Sequence, residues 1–208
     1  MNELKCPFCK EQKDKNINIL NRKIAETDNL LVYPTVGGFV ENYQLIVPKK
    51  HINCFGELSQ NELLELKNII LWQKEINKKY FNSSTSIFEH GALKPNNESG
   101  KSIVHAHLHI FPNNISLIDE IKEYNFNIQK IDDIEQIKIL CEKVDNYLYY
   151  RDIDDKEYFI THERIPSQFF RIILAKSQGI EEWDWRKYPF IKSIERTVEF
   201  YRKNSLIL

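Results

Sequence analysis

Three histidines stand at every second position of residues 102–112, SIVHAHLHIFP. His105, His107 and His109 alternate with apolar residues, and the whole chain contains only six histidines. Because successive side chains of a β-strand point to opposite faces, this spacing predicts three imidazoles on one strand face, about 7 Å apart, with the apolar residues facing a core. The pattern requires a chemical explanation.

Three interpretations compete for this row of histidines. The first is an ordinary polar strand face, which is a common setting for one histidine but not for three in register. The second is a transition-metal site, although alternating strand positions are too widely spread for all three imidazoles to reach one ion. The third is nucleophilic catalysis, in which a neutral imidazole attacks phosphorus and a neighbouring histidine contacts the phosphate or the leaving oxygen. The spacing favours the third.

The composition is that of a globular protein of one domain with an extension, or of two small domains. The chain has 208 residues, of which 42% are hydrophobic and 28% charged. A net charge of −1 provides no overall attraction to nucleic acid or to a membrane surface. No run of eighteen apolar residues predicts a transmembrane helix, and the charged N-terminus MNELKCPFCK does not resemble a signal peptide. We therefore expect a cytoplasmic protein with no membrane partner.

The order of predicted elements indicates an α+β fold. Residues 29–47 predict a hairpin, residues 60–79 a helix that begins with a capping box, and STSIFEH a strand. A polar loop, GALKPNNESGKS, leads into the histidine strand. In the second half, a hairpin turns at Asp154-Asp155, a helix begins near Pro166 and ends at Gly179, and an amphipathic helix closes the chain.

The run His105-Ala-His107-Leu-His109-Ile-Phe resembles the signature of the histidine triad superfamily of nucleotide hydrolases and transferases. The resemblance extends to NYQLIVPKKHINCFGELSQNEL, to CPFCK near the start and to FEHG at 88–91, and so covers residues 6–112. It implies an antiparallel sheet with a long helix packed on it. Residues 1–113 would form the catalytic domain and residues 114–208 a C-terminal extension of helices and a hairpin packed on that core.

The resemblance also implies roles for individual residues. His107 would attack the α-phosphorus of a nucleotide conjugate and form a nucleotidyl-imidazole intermediate, which water or another acceptor would resolve. His109 would donate to a phosphate oxygen or to the leaving group, and the Ser102 hydroxyl would contact either. The substrate-binding residues in the loop would be Asn96, Asn97 and Lys101. Candidate substrates are dinucleoside polyphosphates, nucleoside phosphoramidates and adenylylated conjugates.

Cys6-x-x-Cys9 is half of a tetrahedral zinc site, a spacing that also occurs by chance. Zinc-bearing members of the superfamily are similar, and this resemblance implies a structural zinc held by Cys6, Cys9, His51 and His105. Without a secretory signal, the Cys6-x-x-Cys9 pair indicates a metal site or a redox pair rather than a disulfide framework. The remaining alternative is two buried or free cysteines near a surface turn. The other two cysteines, Cys54 and Cys141, have no partner pattern and are interpreted as packing residues.

The C-terminal half is interpreted first as a packing layer on the triad core. It also resembles, more loosely, the C-terminal region of CwfJ-like proteins, on the residues Pro166-Ser-Gln168-Phe169, Arg171 and Asp184-Trp185-Arg186. Arg171 and Arg186 are therefore either phosphate contacts or surface charges.

Two further functions compete with the enzyme. One is a non-catalytic module of the same fold that binds nucleotides or RNA, and the other is a zinc-dependent hydrolase that uses the histidines directly. A homodimer and a nucleic-acid partner are both compatible with the sequence.

Overall fold

An eight-stranded antiparallel sheet organises the chain in the computed structural model, which describes residues 5–13, 22–94, 103–206 and 208. The strands are β1 (Ala25–Glu26), β2 (Leu30–Pro34), β3 (Gln44–Pro48), β4 (Thr85–Gly91), β5 (Leu108–Pro112), β6 (Asn127–Ile131), β7 (Tyr147–Arg151) and β8 (Glu157–Thr161). Their order in the sheet is β1-β2-β3-β5-β4-β7-β8-β6. The described helices are α1 (Pro7–Lys13), α2 (Gln60–Phe81), α3 (Ile118–Lys122), α4 (Ile137–Leu140), α5 (Phe169–Ser177) and α6 (Ile191–Lys203), with short 3-10 turns at Phe55–Glu57, Ile134–Gln136 and Cys141–Lys143.

The sheet continues from the first half of the chain into the second. β4 pairs with β7 from Ile87↔Arg151 to Gly91↔Tyr147, and β7 then pairs with β8. The hairpin of the C-terminal half therefore extends the sheet that carries the histidines. The hydrogen bonds between β4 and β7 join the two parts of the chain on either side of residue 113. The division into two domains at that residue stays a prediction.

The long predicted helix is confirmed as α2. Ser59 accepts a hydrogen bond from the Glu62 amide while the Glu62 side chain accepts one from the Ser59 amide, which is the reciprocal capping box. The helix ends at Asn82, which has a left-handed backbone with φ of 47°. Its apolar side packs on one face of the sheet, here called the α2 face. The sheet residues of that face include Val32, Ile46, Ile87, Leu108 and Ile110.

The opposite face of the sheet, here called the histidine face, packs against helices that include α1 and α5, which are far apart in sequence. α1 covers one part through Phe8, against Leu45 and Val47. α5 covers another part through Phe169 and Phe170, in the apolar cluster that includes Phe88 and Phe111. Because side chains alternate along a strand, the partition of apolar residues between the two faces follows directly from the register.

Both predicted hairpins are confirmed, with ladders from Leu30↔Pro48 to Pro34↔Gln44 and from Leu148↔Ile160 to Arg151↔Glu157. The final helix is also confirmed, as α6. Its Tyr201 is buried, and its hydroxyl accepts a hydrogen bond from Gln44 of β3 and donates one to Gln73 of α2.

Two sequence predictions require correction. The histidine strand begins at Leu108, so His109 lies in β5 while His105 and His107 precede it. The reason is that the Ala106 amide donates to the carbonyl of Ile52, at 2.8 Å, which takes it out of the ladder. Nevertheless, Ala106, Leu108 and Ile110 all face the same core.

The helix predicted from Pro166 begins later, at Phe169. Gln168 precedes it with φ of 60°, and a left-handed residue cannot continue a right-handed helix. None of the helices in the described part of the chain is long and apolar enough to cross a membrane.

Candidate active site and metal centre

The two histidines at the centre of the site lie on the histidine face, between α1 and α5. Phe8 of α1 contacts His107, with ring centres 5.4 Å apart. Phe88 of β4 stacks on His109 at 4.2 Å, and Phe170 of α5 stacks on the other side of Phe88 at 4.5 Å. The rings of His107 and His109 are themselves 5.1 Å apart. The site is therefore bounded by helices from the N-terminal and C-terminal halves of the chain.

His105 is fully buried, and both of its ring nitrogens have partners. Its Nε2 lies 2.8 Å from the carbonyl oxygen of Pro48, so this nitrogen carries the proton and donates. Its Nδ1 lies 3.3 Å from Sγ of Cys6 and 3.5 Å from Sγ of Cys9. A carbonyl that accepts from one ring nitrogen leaves the other nitrogen free of a proton and able to bind a metal.

The four residues predicted as zinc ligands are brought together. One ligand atom from each of Cys6, Cys9, His51 and His105 lies within 4.8 Å of the others. His51 Nδ1 lies 3.3 Å from Sγ of Cys9. A tetrahedral zinc with two sulfur and two nitrogen ligands separates them by about 3.3–3.8 Å, given the usual Zn–S and Zn–N lengths. The donor set and its spacing thus fit a zinc ion.

Three separate segments supply these ligands. Cys6 and Cys9 lie at the beginning of α1 and within it, His51 follows β3, and His105 precedes β5. A metal held by all four would fasten the short helix α1 to the sheet beside His107. This arrangement agrees with the structural role expected for the ion, because four protein ligands complete a tetrahedral site.

His107 has its orientation fixed by the main chain. Its Nδ1 lies 2.8 Å from the carbonyl oxygen of His105, two residues earlier. A carbonyl only accepts, so Nδ1 bears the proton and, in the neutral ring, Nε2 bears the lone pair. The side chain is partly exposed. These are the properties of a nucleophilic imidazole.

His109 is held by an aromatic cage and by a tyrosine. Its Nδ1 lies 2.9 Å from the hydroxyl of Tyr43, which is itself buried. The pKa of His109 is lowered well below its usual value, mainly by burial and then by the nearby His107 and Arg171. His109 is therefore a neutral ring at physiological pH. Such a ring carries one N–H proton, either on Nδ1 or on Nε2.

Arg171 is a buried side chain, while Arg186 is a half-exposed one. Arg171 donates to the carbonyls of Gly37 and Trp183, and its guanidinium lies beside the rings of Phe39 and Tyr43. Burial lowers the pKa of Arg171. Arg186 instead lies 4.0 Å from Asp184. Of the two predicted alternatives, the surface charge thus describes Arg186, and only Arg171 is directed toward the histidines.

The remaining predicted residues lie outside the part of the chain that the structure describes. They are Asn96, Asn97, Lys101 and Ser102. Their roles stay predictions from the sequence.

Sequence reasoning missed Tyr43 as a site residue. The signal is present in the alternation of β3, because Tyr43 shares a face with Leu45, and Leu45 is paired with His109. The sequence does not show that β3 pairs with β5, and without that pairing Tyr43 cannot be placed beside His109. Phe8 and Phe88 were equally hidden among the apolar residues that a core requires.

Several solved structures of histidine triad (HIT) proteins match this chain. A Hit-like protein involved in cell-cycle regulation from Bartonella henselae has 17% identity and a TM-score of 0.44, over 54% of this chain and 82% of that one. A HIT family protein from Bacillus anthracis has 21% identity and a TM-score of 0.43, over 52% and 73%. A zinc-bound histidine triad family protein from Mycobacterium smegmatis has 16% identity and a TM-score of 0.41, over 54% and 78%.

The chain is similar to HIT proteins of known structure. No protein-family model matches it, and no curated protein matches it. These likenesses concern about half of the chain, so the chemistry assigned to the site below rests on the side-chain geometry and on the histidine motif. The looser resemblance of the C-terminal half to CwfJ-like proteins stays a prediction.

Proposed function

We propose that this protein is a nucleotide hydrolase or nucleotidyl transferase in which His107 attacks the α-phosphorus of a nucleotide conjugate. The observation that supports this most directly is the 2.8 Å hydrogen bond from Nδ1 of His107 to the carbonyl of His105. It leaves Nε2 as the nitrogen with a lone pair, and it stabilises the positive charge that the ring acquires on attack. The HIT-like histidine motif supports a nucleotide as the substrate.

The first displacement forms a bond between Nε2 of His107 and phosphorus. The bond from phosphorus to the leaving group breaks, and the leaving group takes its electron pair; a leaving amine also takes a proton from water. In the second displacement, a water oxygen bonds to phosphorus and releases one proton to the solvent, the nitrogen–phosphorus bond breaks, and its electron pair returns to Nε2. A hydroxyl or phosphate acceptor in place of water would make the protein a transferase.

His109 would contribute a hydrogen bond to a phosphate oxygen or to the leaving group. Its ring is 5.1 Å from that of His107, so the two act on the same phosphate. Ser102, Asn96, Asn97 and Lys101 would add donors from the loop that precedes the site. Preorganised donors of this kind stabilise the charge that spreads over the phosphoryl oxygens.

A zinc ion on Cys6, Cys9, His51 and His105 would be structural in this scheme. When bound, it would fix the position of His105, whose carbonyl orients His107. A four-ligand protein site has no open position for a substrate. The zinc-dependent hydrolase considered from the sequence therefore has no support in the geometry.

The test is intact-protein mass spectrometry after a short incubation with a mixed pool of nucleotide conjugates. The reaction is stopped under alkaline denaturing conditions, because a phosphorus–nitrogen bond is labile in acid. We expect a mass increment of one nucleoside monophosphate, lost on acidification and absent from His107→Ala. The matched control is His162→Ala, which removes an exposed histidine outside the triad and keeps the increment.

The increment would identify both the mechanism and the base. A different result would identify a non-catalytic nucleotide- or RNA-binding module. In that case the wild type and His107→Ala would both lack the increment, neither would turn over any conjugate, and the two would bind nucleotide equally. The cytoplasmic location and the homodimer stay predictions from the sequence.

A further inference from the structure

The C-terminal half buries a cation close to the proposed catalytic histidines. Arg171 of α5 is only 3% exposed, and no acidic side chain in the described ranges forms an ion pair with it. Its hydrogen bonds go to two main-chain carbonyls, of Trp183 and Gly37. The Asp184 carboxylate opposes the desolvation of this guanidinium only from a distance, so the field of the cation also acts on the polar groups that surround it.

Tyr43 contacts both this cation and His109. The guanidinium carbon of Arg171 is 5.7 Å from the centre of the Tyr43 ring. The hydroxyl of Tyr43 is 2.9 Å from Nδ1 of His109. Burial raises the pKa of Tyr43, and Arg171 opposes that rise only in part, so the phenol keeps its proton.

The direction of the hydrogen bond between Tyr43 and His109 follows from this order. A guanidinium has only N–H donors, so the oxygen of a neighbouring phenol presents a lone pair to it. The single proton of that phenol is then free to point the other way, toward Nδ1 of His109. A neutral imidazole that accepts at Nδ1 carries its own proton on Nε2.

We propose that Arg171 and Tyr43 are positioning residues that hold the proton of His109 on Nε2, where it donates to the phosphate or the leaving group. The role of this proton in catalysis rests on the proposed function, whereas its position on His109 can be tested without it. It assigns to the C-terminal half a part in building the site, beyond covering the sheet.

The groups that face His109 from each neighbouring element all agree with this assignment. Tyr43 precedes β3, His107 precedes β5, and Arg171 lies on α5, while Phe88 on β4 contributes an apolar ring. A second proton on His109 would be repelled by the Arg171 charge and would force the Tyr43 hydroxyl to turn its own proton away from Nδ1. The ring therefore donates a hydrogen bond from Nε2 and does not transfer its proton.

The test is nitrogen-15 NMR of the histidine side chains in the substrate-free protein, which distinguishes a protonated from an unprotonated ring nitrogen. His109 is assigned by comparison with His109→Gln. In the wild type we expect the proton on Nε2 and an unprotonated Nδ1 at pH 7. Tyr43→Phe removes only the hydroxyl, and Arg171→Met removes only the charge and its donors. Both are expected to give a mixture of the two tautomers and a higher His109 pKa.

Two variants separate this effect from general damage. Lys176→Met removes an exposed charge from the same helix α5 and should leave the His109 signals unchanged. Arg171→Lys keeps the charge and should retain more of the Nε2 tautomer than Arg171→Met. If Arg171→Met does not fold, Tyr43→Phe by itself decides the question.

A wild-type His109 with its proton on Nδ1 would overturn the proposal, and so would tautomers and pKa values that do not change in either variant. Turnover provides the second measurement. Loss of a correctly placed donor should reduce kcat at least about tenfold in Tyr43→Phe, with KM unchanged. If His107 forms no nucleotidyl adduct, the proposed function fails, while the NMR result for His109 stands by itself.

Discussion

Sγ of Cys6 lies 3.3 Å from Nδ1 of His105, a residue 99 positions further along the chain. Cys9 lies 3.5 Å from the same nitrogen, and His51 lies 3.3 Å from Cys9. Two thiols and two imidazoles collected at such distances in a buried place are the donor set that zinc prefers. These four residues connect α1 to the segment that carries the three histidines, so loss of a bound metal should lower stability.

We expect the purified protein to hold a single zinc ion, and Cys9→Ser to lose it. The variant should also be less stable by about 4 kcal/mol if the free zinc is about a thousandfold above its Kd. Metal content is measured by elemental mass spectrometry, and stability by urea unfolding. Cys54→Ala is the matched control, because it removes a buried cysteine outside the cluster and should keep the zinc. Equal metal content in both variants would contradict the assignment.

The turn at Gly37 should not tolerate a side chain. Gly37 has φ of +76°, and an added Cβ would lie 2.4 Å from Cβ of Trp185 and 2.9 Å from Nη2 of Arg171. We expect Gly37→Ala to lower the free energy of unfolding by about 2–5 kcal/mol, the sum of a left-handed alanine and overpacking.

Gly179→Ala provides the comparison for that prediction. Its φ is +67°, but nothing lies within 4 Å of the added Cβ, so only the backbone cost of about 1–2 kcal/mol applies. Both variants are measured by urea unfolding. Equal losses would show that the Trp185 and Arg171 contacts with the turn do not matter.

The hydroxyl of Tyr201 should make its own contribution to stability, separate from that of the buried ring. The hydroxyl bonds to Gln44 at 2.7 Å and to Gln73 at 2.8 Å, and both glutamines are buried. Tyr201→Phe leaves polar atoms of both glutamines short of a partner, which should reduce the free energy of unfolding by about 1–3 kcal/mol. The control is Tyr188→Phe at an exposed position, where a change within about 0.5 kcal/mol is expected. A Tyr201→Phe protein as stable as the wild type would rule out this network as a contribution.

His109 should make the stability depend on pH on the acid side. Its folded pKa is well below the usual 6.5, so between these two values the unfolded chain binds a proton that the folded chain does not. Stability is therefore present in full above pH 6.5 and falls as pH decreases, by at most about 1.4 kcal/mol per pH unit.

The measurement compares wild type with His109→Gln by urea unfolding at pH 7.5 and at pH 5.5. Contributions from other groups are shared by the two proteins and cancel in the difference. We expect the wild type to lose about 1 kcal/mol more than the variant over this interval. The same loss in both proteins would mean that His109 titrates normally when folded.

The sequence alone determined most of the local elements and which histidines to consider for chemistry. The capping box at Ser59 fixed the beginning of α2, and the alternation of apolar residues correctly predicted two hairpins and the common core of Ala106, Leu108 and Ile110. The four metal ligands followed from a resemblance, and the structure brings their ligand atoms within 4.8 Å. The capping box and the alternation depend on spacings of two to three residues, which a single sequence displays directly, whereas the four candidate ligands are 42 or more positions apart between segments and needed the resemblance.

Only the tertiary structure decided what surrounds the histidines. The pairing of β4 with β7 extends the sheet into the C-terminal half, and the contact of Gly37 with Arg171 joins residues 134 positions apart. Periodicity tells which face a side chain occupies, but not which distant element covers that face. That choice depends on strand order and on the packing of α1 and α5, which are set by the burial of the whole apolar surface. Hence His107 could be predicted from its motif, while Tyr43 and Arg171 required the fold.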